Sequence, residues 1–164
     1  MEAKAANKGA RYGIPRLAAT RAVPERLTPF GLEPKRPDLG AFVHFFLDDR
    51  RFERVWRNME RSVESLKKFA GALTPDFSVR RDMPLAEQIW NVYRGMKIGE
   101  TMQEAGIATI PSATWSDERS WEFCFDGLPE GGVVAVSSVG IGRDPVALRL
   151  FRSGCEGLLR RMNP

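Results

Sequence analysis

The sequence predicts an α/β fold in which about four parallel strands alternate with helices, preceded by an extended N-terminal arm. Short apolar runs of strand length alternate with segments that repeat apolar residues at helical spacing. Proline, glycine and aspartate mark the boundaries between these segments. Strands that are joined by helices run parallel, through right-handed crossovers. A half-barrel and an open sheet both satisfy this pattern.

The strands are predicted from four apolar runs. The first and the last, AFVHFFL and VVAVS, are nearly continuous, as is typical of strands buried on both faces. A proline closes the second and the third run, and it cannot donate to a sheet ladder. The predicted strands are residues 41–47, 72–74, 107–110 and 133–137.

The clearest predicted helix runs from Pro84 to Glu104. Its apolar residues recur at helical spacing and predict its inner face: Leu85, Ile89, Tyr93 and Met96. Capping residues predict the other helices: after Asp48 or Asp49, from Ser62, over residues 118–125 after Asp117, and after Asp144.

The division of charge and proline predicts two regions, an arm over residues 1–40 and a single α/β domain over residues 41–164. The arm contains five of the eleven prolines, and eight Lys and Arg against four Asp and Glu. The rest of the chain has seventeen residues of each sign, so the arm holds the whole net charge of +4. Apolar residues such as Ile14 and Leu17 indicate that the arm packs on the domain.

Composition excludes several classes of protein. Two cysteines are too few for a disulfide framework, and a single histidine nearly excludes the usual zinc ligand sets. No apolar run approaches the roughly 18–20 residues that span a bilayer. The N-terminus lacks the apolar core of a signal peptide, so we expect a cytoplasmic protein without a membrane partner.

Several long motifs resemble one known family. They are RYGIP (residues 11–15), HFFLDDRRFERVW (44–56), TPDFS (74–78), RDMPLAEQIWNVYR (81–94), IPSATWSDE (110–118), FCFDGLP (123–129) and VVAVSSVG (133–140). Through them the chain resembles the domain-of-unknown-function family 4417 of bacterial and phage proteins. The resemblance implies a phage or mobile-element accessory protein, in the host cytoplasm if phage-encoded, and no particular chemistry. Family members usually continue into a further strand, so the resemblance also implies an exposed sheet edge.

The carboxyl ends of the strands are the predicted location of a site, because ligands bind there in parallel α/β folds. Asp48, Asp76 and Asp117 lie in the loops that leave three of the strands. Converging carboxylates would suit Mg²⁺ and a phosphate. Helix capping alone also explains Asp49, Asp117 and Asp144. Asp76 precedes no helix start, so it is the first choice for a functional carboxylate.

Five further residues are candidate ligand contacts. Asn91 and the candidate catalytic Arg94 share a helix face, and with Arg81 they would hold an acidic group, or else form structural ion pairs with Asp76 or Asp82. Ser138 and Gly140 lie in a loop before a helix, which suits either a phosphate or a tight turn. Trp115 suits either stacking on a base or sugar, or core packing.

Three functions are compatible with these features. The leading hypothesis is a binding protein that acts on a host macromolecule, or self-associates, through an exposed sheet edge, the basic arm or both. The second is a metal-assisted, phosphate-handling enzyme with Asp76, Asp48, Asp117 and Arg94 as catalytic residues and Mg²⁺ as the candidate cofactor. The third is nucleic-acid binding through the arm, which predicts a steep salt dependence.

Overall fold

A computed structural model describes residues 11–32 and 36–163. In this part of the chain one all-parallel sheet has the sequential order β1-β2-β3-β4. Its strands are β1 (Leu27–Pro29), β2 (Phe42–His44), β3 (Gly71–Leu73) and β4 (Thr109–Ile110). One row of paired residues crosses the sheet: Thr28, Val43, Ala72 and Thr109. The predicted α/β class with about four parallel strands is confirmed.

Five α-helices connect or follow these strands within the described residues. They are α1 (Glu53–Arg57), α2 (Met59–Leu66), α3 (Leu85–Glu104), α4 (Trp121–Cys124) and α5 (Pro145–Met162). Two 3-10 turns, Asp49–Arg51 and Glu118–Ser120, precede α1 and α4. The helix expected from Ser62 therefore begins earlier, and the helix expected over residues 118–125 is divided into a turn and α4.

The strands that form the sheet differ from the predicted ones at both edges of the sheet. Leu27–Pro29, inside the predicted arm, pairs with β2. Residues 133–137 were expected to form a buried strand, but among the described residues they make a single parallel bridge, from Ala135 to Ser112. The carbonyl of Pro111 accepts from the amide of Ala135 at 2.8 Å. The carbonyl of Ala135 accepts from the amide of Ala113, also at 2.8 Å. Because proline has no N–H, the ladder does not continue on the Pro111 side of this bridge.

The inner face of α3 also differs from the prediction. Met96 is buried, but Leu85 is 60 % exposed, and Ile89 and Tyr93 are only half-buried. The buried residues of α3 are Gln88, Asn91, Val92, Arg94, Gly95, Met96, Ile98, Gly99 and Met102. Polar residues occupy the inner face because α3 packs on a loop as well as on apolar core, and loop backbone groups need hydrogen-bond partners.

α3 contributes to two apolar clusters. Met96 packs with Phe123 and with Ile14 of the predicted arm, and Ile98 packs with Phe52 and Phe77. On the sheet, Val43 and Ala72 belong to the second cluster. The alternate residues Phe42, Leu73 and Ile110 form a smaller third cluster.

The described part of the predicted arm is in close contact with the rest of the chain. Ile14 is fully buried, and the amide of Leu17 donates to the carbonyl of Gly127 at 3.1 Å. Gln103 of α3 binds both the N–H and the C=O of Ala18 at 2.9 Å. The domain boundary at residue 40 stays a prediction. Within residues 11–32 and 36–163, no helix is long and apolar enough to cross a membrane.

Candidate functional site

A pocket of about 890 Å³ lies at the carboxyl edge of the sheet. Its walls come from the segments that follow β2, β3 and β4, from residues 137–141, and from one side of α5. This is the edge predicted from the parallel topology, and the volume lies within the usual range for small-molecule sites. The backbone arrangement therefore brings together loops that are far apart in the sequence.

Some of the candidate residues line this pocket, and others do not. Those that line it are Asp48, Asp76, Arg81, Trp115 and Gly140. Ser138 is exposed and lies between the lining residues Ser137 and Val139. Asp117, Asn91 and Arg94 are absent from the lining.

Asp76 lies in the loop that follows β3. Its Oδ1 atom is buried and has no hydrogen-bond partner among the described residues. Burial raises the pKa of this carboxyl to about 8, and the neighbouring carboxylate of Asp49 raises it further, against the lowering effect of its own backbone amide. Asp76 is therefore largely protonated at neutral pH, where it can donate a hydrogen bond or a proton to a ligand in the pocket.

Asp48 and Asp49 differ from each other although they are adjacent. Asp48 caps the 3-10 turn: its Oδ1 accepts from the amide of Arg50 at 3.0 Å. The hydrogen bonds from the Arg50 side chain and amide lower the pKa of Asp48 to about 2. Asp49 accepts from the amide and the hydroxyl of Ser78, each at 3.0 Å. It thereby joins the loop after β2 to the loop after β3.

Asn91 and Arg94 hold the loop after β3 from the side of α3. The amide of Asn91 donates to the carbonyl of Ser78 at 2.7 Å. Arg94 donates to the side-chain Oδ1 of Asn91 at 2.6 Å and to the Glu53 carboxylate at 2.9 and 3.1 Å. The sequence predicts Asp76 or Asp82 as the structural partner of Arg94. In the structure Glu53 takes that position.

The remaining charged residues considered in the sequence analysis are Asp117, Asp82 and Arg81. Asp117 caps the turn Glu118–Ser120, and its hydrogen bonds to Arg119 lower its pKa despite some burial. Asp82 pairs with Arg80 at 3.1 Å. Arg81 is exposed and lines the pocket, and it forms no ion pair with another residue of the described ranges. It is the cation available to a ligand there.

Trp115 and the loop before α5 form another part of the pocket wall. The indole N–H of Trp115 donates to the carbonyl of Leu150 at 3.1 Å, and the ring stacks on Phe151 with centroids 5.7 Å apart. Trp115 therefore packs α5 and also forms pocket wall. Gly140 has φ +86°, a conformation that favours glycine. Asp144 caps α5 and places a carboxylate at its N-terminus, which favours the tight-turn interpretation over a phosphate site.

The predicted magnesium site gains no support from the carboxylate arrangement. Among residues 11–32 and 36–163, no group of three or more His, Cys, Asp or Glu side chains is close enough together to hold a metal ion. The two carboxylates that do lie together are Asp49 and Asp76, and Asp49 already accepts two hydrogen bonds from Ser78. We therefore describe the chemistry of the pocket through its own residues.

Comparison with known proteins agrees with the sequence motifs. The family model described as "Domain of unknown function (DUF4417)" matches residues 6–164. The chain belongs to this family. The predicted resemblance is therefore confirmed. No solved structure matches the chain.

Two phage proteins are close relatives of this DUF4417 chain. One is the Gene 1 protein of Mycobacterium phage D29, 45 % identical over 156 residues, which are 93 % of this chain and 58 % of that protein. The other is the Gene 1 protein of Mycobacterium phage L5, 44 % identical over 157 residues, which are 93 % of this chain and 68 % of that protein. The expected relationship to phage proteins is thus confirmed. The chain spans about three fifths of the length of the D29 protein.

Sequence reasoning missed the residues that connect the DUF4417 motifs. Asp49 and Glu53 belong to one motif and Phe77 and Ser78 to another. Asp49 accepts a hydrogen bond from the amide of Ser78, and Arg94 contacts both Glu53 and the ring of Phe77. The order of residues within each motif does not show which residues of the other motif they contact. The available signal was that Asp49 and Ser78 each come shortly after a predicted strand, which places them at the same edge of the sheet.

Proposed function

We propose that the chain binds a small molecule in the pocket at the carboxyl edge of the sheet, and that Asp76 exchanges a proton with it. The observation that carries this proposal is the buried, unpartnered Oδ1 of Asp76 in the pocket wall. Leaving a buried carboxyl without a partner costs free energy. Such groups with perturbed pKa values are concentrated at functional sites.

The lining of the pocket indicates the kind of ligand that fits. Phe46, Trp115 and Phe151 supply apolar wall, which suits a flat or apolar part of the ligand. The carboxyl of Asp76 suits a ligand group that accepts a hydrogen bond, and the exposed Arg81 in the lining suits an anionic group. A carboxyl whose pKa is near 8 both donates and accepts a proton readily at neutral pH, which is the property that general acid–base catalysis requires.

A thermal-shift screen tests this proposal. The probes are Mg²⁺, Mn²⁺, nucleotides, sugar phosphates and short oligonucleotides. A ligand at 100 times its dissociation constant adds about 2.7 kcal/mol to the free energy of unfolding. We expect at least one small-molecule probe to stabilise the wild type, and Asp76→Asn to reduce that stabilisation.

Asp38→Asn is the matched control, because Asp38 pairs with Arg26 and does not line the pocket. It is expected to leave the stabilisation unchanged. A flat screen with the wild type would contradict the small-molecule proposal. So would a thermal shift that is equally large in Asp76→Asn.

Binding of a host macromolecule is the second candidate, and the outer edge of the sheet favours it. Val134 and Val136 flank the bridging residue Ala135 and make no backbone hydrogen bond to another described residue. Val136 is 38 % exposed and Val139 is 71 % exposed. An unpaired edge of this kind can accept a strand from a partner or from a second copy. Val136→Lys is expected to abolish a specific complex, or self-association measured by light scattering.

Nucleic-acid binding through the arm has less support. Arg11 pairs with Glu122, Arg16 with Asp126 and Arg26 with Asp38. These acidic partners offset part of the positive charge in the predicted arm. The proposal still predicts oligonucleotide binding that weakens steeply as the salt concentration rises.

A further inference from the structure

We infer that Arg94 is a positioning residue for Asp76: it holds the loop after β3 so that the Asp76 carboxyl stays buried in the pocket wall. This inference rests on the proposed function of the pocket. It gives Arg94 a role different from the one expected from the sequence. Arg94 does not line the pocket, so it acts through residues 77, 78 and 91 and not on a ligand.

The loop after β3 is confined on the side of α3. A Cβ atom added at Gly95 would lie 2.5 Å from the carbonyl oxygen of Pro75, so the helix backbone closely approaches the loop. Two residues after Pro75, Phe77 is fully buried, and the guanidinium carbon of Arg94 lies 3.8 Å from its ring centroid. Asp76 therefore lies between Pro75, which the backbone of α3 closely approaches, and Phe77, which contacts Arg94.

Arg94 is well suited to confine this loop. Its side chain is 10 % exposed, and its two terminal nitrogens bind Glu53 and Asn91. Asn91 in turn donates to the carbonyl of Ser78. The planar guanidinium thus combines an aromatic contact with hydrogen bonds in two directions, and lysine has no equivalent geometry.

The other side of the loop is held by Asp49, through the amide and the hydroxyl of Ser78. The charged groups that line the pocket with Asp76 are Asp48, Asp49, Arg80, Arg81 and Asp82. Arg94 is paired with Glu53 behind Phe77. Its replacement by lysine keeps the positive charge, so a change at Asp76 would come from loop position and water access.

An NMR titration tests the inference without a ligand. Protein labelled with ¹³C at the aspartate carboxyls is titrated, and the Asp76 signal is assigned by its absence in Asp76→Asn. In the wild type we expect a midpoint near 8, the pKa that burial gives this carboxyl. In Arg94→Lys we expect the midpoint to fall by about one pH unit or more, because water reaches the carboxyl.

Asn91→Leu is the second variant, since it keeps the side-chain size and removes the bond to Ser78 without adding charge. It decides the question if Arg94→Lys does not fold, and we expect the same direction of shift. Arg119→Lys is the control, because Arg119 belongs to an exposed pair with Asp117. It is expected to leave the Asp76 midpoint in place.

The outcomes separate this inference from the proposed function. Folded Arg94→Lys or Asn91→Leu protein in which Asp76 keeps the wild-type midpoint would overturn the positioning role, even if the variant is less stable. A wild-type midpoint near the ordinary value of about 4 would overturn the acid–base function itself.

Discussion

At the scale of single residues, the environment of Asp76 sets its charge and couples it to the stability of the fold. In an unfolded chain an aspartate has a pKa of about 3.9. In the folded protein burial raises the pKa of Asp76 to about 8. Between these two values the folded state binds more protons than the unfolded state. The free energy of unfolding therefore falls as the pH rises from about 4 to about 8, and it levels off above that range.

Asp76→Asn is expected to remove this part of the pH dependence, because asparagine stays neutral. The effect is at most about 6 kcal/mol, from about 1.4 kcal/mol for each pH unit between the two pKa values. We expect the variant to be more stable than the wild type at pH 8, with a smaller difference at pH 5. Urea unfolding at several pH values measures this. The Asp38→Asn control is expected to follow the wild-type slope over the same range, and equal slopes for Asp76→Asn would contradict the prediction.

At the scale of elements, α5 packs against two tryptophans through glycines. A Cβ atom added at Gly154 would lie 2.0 Å from the Trp115 indole, and one at Gly157 would lie 2.8 Å from Trp121. The Trp115 ring is held by the Leu150 carbonyl and by stacking on Phe151. It therefore has little freedom to move away. Glycine is unfavourable within a helix, so its presence here indicates that close approach decides these positions.

Gly154→Ala is expected to destabilise the protein by about 1–3 kcal/mol through overpacking, even though alanine favours the helix by about 1 kcal/mol. Displacement of Trp115 would also change the pocket wall. Thermal or urea unfolding measures the change in stability. Arg149→Ala, at an exposed position of the same helix, is the control and is expected to have little effect. Equal stability of Gly154→Ala and wild type would show that α5 can move away from Trp115.

At the scale of the whole molecule, the predicted arm contributes a strand to the sheet and side chains to two of the apolar clusters. β1 lies between residues 27 and 29, and Ile14, Leu17 and Phe30 are each at most 5 % exposed. Removing these side chains would expose apolar surface of α3 and of the second apolar cluster. It would also leave β2 as an unpaired edge.

Deletion of residues 1–40 is therefore expected to abolish cooperative unfolding or to cause aggregation. Deletion of residues 1–10 is the control, because it leaves β1, Ile14 and Leu17 in place. Circular dichroism during thermal unfolding distinguishes the two truncated proteins. A cooperative transition for residues 41–164 alone would show that this region folds independently, as the sequence-based domain boundary predicts.

Rules of helix capping and hydrophobic periodicity predicted the elements that form through residues close together in the sequence. Pro84 and the apolar repeat after it predicted α3 within one residue of its observed start, because proline suits the first turn of a helix. The predicted parallel order placed Asp48 and Asp76 at one edge of the sheet, where both line the pocket. Local rules did not predict β1, since its ladder partners are residues 42–44 and nothing within the segment itself indicates them.

The sequence by itself determined the α/β class, the family and the starts of α3 and α5, and it placed Asp48 and Asp76 at one edge of the sheet. These follow from periodicity, capping and chain topology, which act over short distances along the chain. Only the tertiary structure decided that Asp49 binds Ser78, 29 residues away, and that Arg94 binds Glu53, 41 residues away. It also decided that the Oδ1 atom of Asp76 is buried and has no hydrogen-bond partner among the described residues, because burial and pairing depend on which loops and helices pack together.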